Sequence, residues 1–350
     1  MSRLGPSSTA RLNSSGLYDG GVVGEMVSVA AASPYRYRQT IGMFVEYGRG
    51  MSNPYDVAPA GDGRLFVLNR SNIFDAPVGG LRIGIMTLGE DYLGDWGSYG
   101  TGPGQLVWPN SMVLDRHGRL LISDEWRHDV QCFEQDGTLI QSWGGPGTED
   151  GRFNRAAGLA FDAAGNVIVV DAGNHRLQKF DPEGRFMMKW GSFGSGTGQL
   201  NMPWGVAVDA VDHVYVTDWR NDRLQVFDAE GRPLGTIGSS GTGDGEFRRP
   251  AGISVDSNGH IIVADWGNER VQILRPDGTH LATLYGDATL SKWAREFIAA
   301  SPDVAAKRRH AANLEAERHF WGAVAVRVDG AGRLYVAEHS RHRIQVYERN

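Results

Sequence analysis

His339, in the segment AEHSRH, is the best single candidate for a general acid or base in this chain: an imidazole titrates near neutral pH, and this one stands where comparable segments carry Trp or Ala. Glu125 and Arg220, in comparable segments, are the other two candidate catalytic residues. Three more imidazoles share a pattern, since His128 and His175 are 47 residues apart and His342 holds the matching place further on. Three is the number a catalytic zinc often takes from histidine.

Acid and base pairs also recur: Asp171 with Arg176, Asp218 with Arg223, Asp265 with Arg270 and Glu338 with Arg343. A pair required for chemistry is needed once, whereas one that ties each loop to its own strand is needed in every unit, so these read as structural. The segment ISDEWRHDVQCF breaks the rule, with Asp129 at the place of the Arg and Glu125, Trp126, Arg127 and His128 before it.

The elements that position these side chains repeat with the same period. Asp124, Asp171, Asp218 and Asp265 are each 47 residues apart, as are Gly137, Gly184, Gly231 and Gly278, and Trp96, Trp143 and Trp190. Within one unit four short runs of Val, Ile, Leu and aromatics, at about 203–209, 213–218, 223–228 and 233–238, are separated by turn formers. A period of roughly 40 to 50 residues with this patterning predicts propeller blades. Two divergent units flank the regular four, so the fold class expected is all-β: a six-bladed β-propeller of four-stranded antiparallel blades. The last unit stops at Asn350 without its fourth strand. Residues 41–48, IGMFVEYG, match the missing piece with Tyr47 at the Trp position, and an N-terminal strand is expected to close the ring.

The unit reads Pro-x-Gly, hydrophobic, x, Val-Asp, then Gly, a hydrophobic strand, Asp-x-Gly-Asn-x-Arg, hydrophobic, Gln, and it resembles the NHL repeat over about residues 41–350. The resemblance implies a protein-binding platform, an RNA-binding surface or, as in the peptidyl-hydroxyglycine amidating lyases, a metal-dependent catalyst. The zinc histidines of those lyases follow the proline that opens the first strand. Here those positions hold Tyr55, Asn110, Ala157, Trp204, Ala251 and Val324, and none is histidine. The likeness to lactonase-type propellers suggests instead one divalent metal, calcium or zinc, on oxygen ligands, with Asp56, Asn110 and Glu338 as the candidate set. The trio His128, His175 and His342 begins third strands, away from the axis, and is not expected to converge.

In a propeller, the loops between second and third strands and the links between blades share the face of the channel mouth, here called the upper face. Two insertions fall there. Asn69 to Arg82 spans 13 positions against 5 for Asp265 to Arg270, and Gly286 to Phe320 spans 34 against 9 for Gly238 to Phe247. The longer one, about 288–318, is helical in pattern. Ser291 caps a short helix carrying Trp293 and Phe297 on one side, and Ser301-Pro302 opens a second running to about His319, roughly 27 Å long and read as a lid. Rim packing or a dimer contact is the alternative. Tyr55, Trp126, Trp204, Trp219, Trp266 and Trp321 map to the same face, an aromatic lining suited to a small ligand or a peptide side chain, with Asn110 as a further ligand-binding candidate.

Net charge −6, from 35 Lys plus Arg against 41 Asp plus Glu, argues against nucleic acid as the main partner, despite local positive charge at Arg70, Arg127, Arg220 and Lys307–His310. No run is long and apolar enough for a membrane span, and the opening lacks the apolar stretch of a secretory signal, so a cytoplasmic location is expected. Cys132 reads as a packed core thiol, and residues 1–34, rich in Ser, Gly and Ala, as a flexible tail before a single domain at 35–350. The function expected is a binding or scaffold protein acting through the lidded mouth. A metal-assisted lyase or hydrolase at the same mouth is the alternative, and RNA binding the second.

Overall fold

The computed structural model describes residues 33–46, 48–70, 80–311 and 313–350. Runs such as Leu120–Asp124 and Asp129–Phe133 are buried at every position, whereas the fourth strand of the same sheet, Leu139–Gly144, alternates between covered and exposed. Sheets sandwiched between neighbours produce this difference, because inner strands are covered on both faces and outer strands on one. Six four-stranded antiparallel sheets result, a six-bladed propeller. Their innermost strands are Pro54–Pro59, Pro109–Leu114, Ala156–Phe161, Val206–Val208, Pro250–Val255 and Ala323–Val328, in blades one to six.

The ring closes through the N-terminal strand, but not with the residues expected. The fourth strand of blade six is Tyr35–Ile41, antiparallel to Arg343–Arg349 with Ile41 opposite Ile344. Trp143 opposes Val130 and Trp190 opposes Leu177 in the same way, so Ile41 takes the Trp place; Tyr47 lies outside the described residues. Link length decides the register. Ten positions separate Trp143 from buried Phe153 and Trp190 from buried Leu200, and the same ten separate Ile41 from buried Met51. The aromatic-glycine likeness of VEYG to QSWG was the weaker signal. Of the expected tail, Ser33 and Pro34 are tied to Asn350 by backbone and side-chain hydrogen bonds, and residues 1–32 lie outside the described residues.

The helical insertion is shorter than its pattern suggested. Helix α1, Lys292–Ala300, is capped by Ser291, whose Oγ accepts from the Ala294 N–H at 3.0 Å. Helix α2 spans only Pro302–Arg309, about 12 Å, and Ser301 provides no side-chain cap. It buries no residue, so no tertiary contact extends it toward His319. Helix α1 is anchored at the seam of blades six and one. Trp293 is 2% exposed and packs with Ile41, Met51 and Met86, its Nε1 donates to the Glu90 carbonyl at 2.6 Å, and Phe297 is left half exposed. Among the described residues no helix is long and apolar enough to cross a membrane.

Candidate ligand site at the channel mouth

The channel is shaped by what stands at one position of each innermost strand. A Cβ at Gly158 would lie 2.6 Å from the Trp204 carbonyl oxygen, and one at Gly205 2.5 Å from that of Ala251. No side chain fits there, so these blades press backbone to backbone, and the Gly158 N–H donates to the Trp204 carbonyl at 2.9 Å. Blades one and two carry Asp56 and Ser111 at the matching places. Asp56 is buried and accepts from Arg327 Nε at 2.9 Å, Ser111 Oγ at 3.1 Å and the Met112 N–H at 2.9 Å. Arg327 also donates to Ser111 Oγ at 2.9 Å, so an ion pair spanning blades six and one lines the channel between the innermost strands. Arg327 was missed, although its place in the other units holds Ala58, Val113, Ala160, Ala207 and Ser254, against which an arginine is conspicuous.

The three oxygen-ligand candidates each have protein partners. The Asp56 carboxylate is held by the Arg327 guanidinium. Asn110 Nδ2 donates to Glu125 Oε1 at 2.5 Å. Glu338 accepts from Arg343 at 2.7 Å, Gln345 at 2.8 Å and the Trp321 N–H at 3.1 Å, the structural role its Asp counterparts play. Among the described residues no group of three or more His, Cys, Asp or Glu side chains is arranged to hold a metal ion.

Next to the channel, sharing Tyr55, Trp204 and Val324 with it, lies a cavity of about 200 Å³ lined by Tyr55, Trp204, Trp219, Ala251, Trp266, Val324 and His339. Trp204 and Trp219 have ring centroids 6.3 Å apart, and Tyr55 faces His339 at 5.9 Å. Four of the six predicted aromatics therefore meet. Trp126, 54% exposed, lines a neighbouring groove with Trp108, Glu125, His128 and Arg155, and Trp321 sits on the rim under Arg341 at 5.1 Å. No described residue of 288–318 lines the cavity, as a lid would, and α1 buttresses the outer seam instead. The shorter insertion, at 71–79, lies outside the described residues.

Against this geometry, an NHL repeat model matches residues 153–180, 200–227 and 247–274. The chain carries NHL repeats. Among solved structures, the virginiamycin B lyase of Staphylococcus aureus is 11% identical with a TM-score of 0.54, covering 89% of this chain and 99% of that one. A gluconolactonase from Xanthomonas campestris is 13% identical with a TM-score of 0.57, covering 90% and 99%. A protein of unknown function from Bacteroides thetaiotaomicron is 14% identical with a TM-score of 0.61, covering 90% and 75%. At these identities the likeness is one of fold. No curated protein matches the sequence.

The three candidate catalytic residues of the NHL propeller occupy different surroundings. Burial, reinforced by His342 and Arg70, lowers His339 to about 4, so its ring is neutral at neutral pH and a weak base. Glu125 is buried, hydrogen-bonded to Asn110 and paired with Arg155 at 3.0 Å. Behind it Arg70 is itself buried, its guanidinium between the rings of Tyr55 at 4.4 Å and Trp108 at 4.2 Å. Arg220 is exposed beside Trp219. The off-repeat loop of blade two is a compensated exchange: Arg127 pairs with Asp129 at 2.9 Å and reaches the Gly102 carbonyl at 3.3 Å, as Arg176 reaches that of Glu149 at 2.8 Å.

The histidine trio latches blades together. His342 Nδ1 accepts from the Asn53 N–H at 3.0 Å, His128 from Arg155 at 2.8 Å and His175 from Met202 at 3.0 Å; Asp222 accepts from Arg249 at 2.7 Å and Glu269 from Gly322 at 3.2 Å. Only an unprotonated imidazole nitrogen can accept, and burial lowers the pKa of both His175 and His342, with Arg220 adding to the effect at His175. Because the unfolded chain binds these protons more readily, stability is retained above the ordinary histidine value of 6.5 and falls as pH drops below it. His175→Asp supplies the acceptor seen at Asp222. Its melting temperature will fall less between about pH 7 and pH 5 than that of the unaltered protein, and parallel curves would contradict the latch.

Proposed function

We propose that this NHL propeller binds a small molecule or a peptide side chain at the aromatic mouth of its channel, acting as a binding or scaffold protein. The observation that carries the reading is the convergence of Tyr55, Trp204, Trp219, Trp266 and His339, from blades one, four, five and six, on one cavity. Flat rings on a rigid ring of blades give a large contact area at small entropic cost. The alternative, a lyase or hydrolase reaction at the same mouth, has His339 and Tyr55 as titratable lining residues, burial holding the Tyr55 hydroxyl above its ordinary pKa, while the carboxylates of Asp56 and Glu125 are held in ion pairs.

Trp204→Ala tests the reading. Isothermal titration with naphthalenemethanol as the probe is expected to show affinity weaker by about 1 to 3 kcal/mol with little change in melting temperature. Unchanged affinity with lost stability would return Trp204 to blade packing.

A further inference from the structure

The free charges beside the mouth are cationic. No carboxylate is among the residues lining the cavity. Most arginines of the upper face are committed: Arg176, Arg223, Arg270 and Arg343 each pair with the acid of their own blade and with carbonyls of a neighbouring link. Arg220 and Arg249 are not. Both are exposed, and both lie against Trp219, with guanidinium carbons 5.9 and 5.1 Å from its ring. Their side chains make no hydrogen bond or ion pair among the described residues. The carboxylate of Asp222 is occupied by the backbone N–H of Arg249 and by Ser240 Oγ, at 2.7 Å each. On the other side of the mouth Arg70 stands behind Tyr55, but it is buried and paired with Glu125 at 3.8 Å.

An aromatic cage with a carboxylate would favour a cation. This cage has guanidiniums instead. A guanidinium lying against an indole face is partly oriented before any ligand arrives, and its N–H edge remains free to bind two oxygens of an anion at once. We infer that the ligand of the mouth is a flat apolar molecule carrying an anionic group, its apolar body among Trp204, Trp219 and Trp266 and its carboxylate, sulfonate or phosphate held by Arg220 and Arg249. This rests on the reading of the mouth as a binding site and adds the charge of what it binds.

Three probes of one shape separate the two claims: naphthalenesulfonate, naphthalenemethanol and naphthylmethylammonium, titrated calorimetrically at low salt into the full chain and into an Arg220→Ala/Arg249→Ala variant. Both arginines are exposed, so the variant is expected to fold normally. The sulfonate should bind at least about tenfold more tightly than the ammonium, and the variant should lose most of that preference while its affinity for the neutral alcohol stays the same. Equal or tighter binding of the ammonium, or a preference that survives in the variant, would overturn the anion inference while alcohol binding left the mouth reading in place. Binding of none of the three would remove the mouth reading and this inference with it.

Discussion

A chain beginning at residue 42 will lose most of its stability, far out of proportion to the nine described residues removed, 33–41. Without Tyr35–Ile41, the third strand of blade six becomes an open edge, and Ile344, Val346 and Tyr347, all at 0% exposure, lose part of their cover. Ile41, itself fully buried, stands between the first and last blades beside Met51 and Trp293. Truncating Ile41 alone to Ala should remove about 2 to 5 kcal/mol, and losing the whole strand should exceed that, against a total of about 5 to 15 kcal/mol for a typical domain. Thermal unfolding followed by circular dichroism tests this, and a peptide spanning residues 33–41 should restore part of the loss by adding back the strand. A truncated chain melting within about 2 °C of the full one would show that the ring closes without it.

Arg327→Met will destabilise the protein by about 3 to 5 kcal/mol, because it leaves the Asp56 carboxylate, 2% exposed, without its guanidinium. The Ser111 hydroxyl and Met112 N–H remain as donors but supply no full charge. Adding Asp56→Ala in the same chain should recover most of the loss, since the uncompensated charge rather than a missing contact causes it. Urea unfolding of the two single variants and the double variant measures the coupling. Additive effects would mean that the Asp56 charge does not depend on Arg327.

The architecture could be read from the chain because a 47-residue period imposes the same requirements on four successive units, and Asp124, Asp171, Asp218 and Asp265 repeat the answer. The mouth could be read in part for the opposite reason: Tyr55, Trp204 and His339 stand where other units carry something else. Three features were hidden. Ile41 was passed over because the similarity of VEYG to a tryptophan strand outweighed the length of the link, which is what fixes strand position. The helical pattern of 291–309 says that helices form, not where they dock, and Trp293 anchors α1 against Glu90 rather than over the channel. Arg327 and Asp56 are 271 positions apart, and only closure of the ring brings blade six against blade one. His128, His175 and His342 show the same limit, because their partners are backbone N–H groups that no side-chain pattern reveals.

The central claim is that the aromatic mouth is a ligand site, and ligand-observed NMR with a library of small aromatic molecules tests it most directly, using the unaltered chain beside a Trp204→Ala/Trp219→Ala/Trp266→Ala variant of verified fold. The account predicts molecules that bind the first and not the second, with the anionic ones prominent among them. Molecules that bind both equally, or none that bind the unaltered chain, would contradict it.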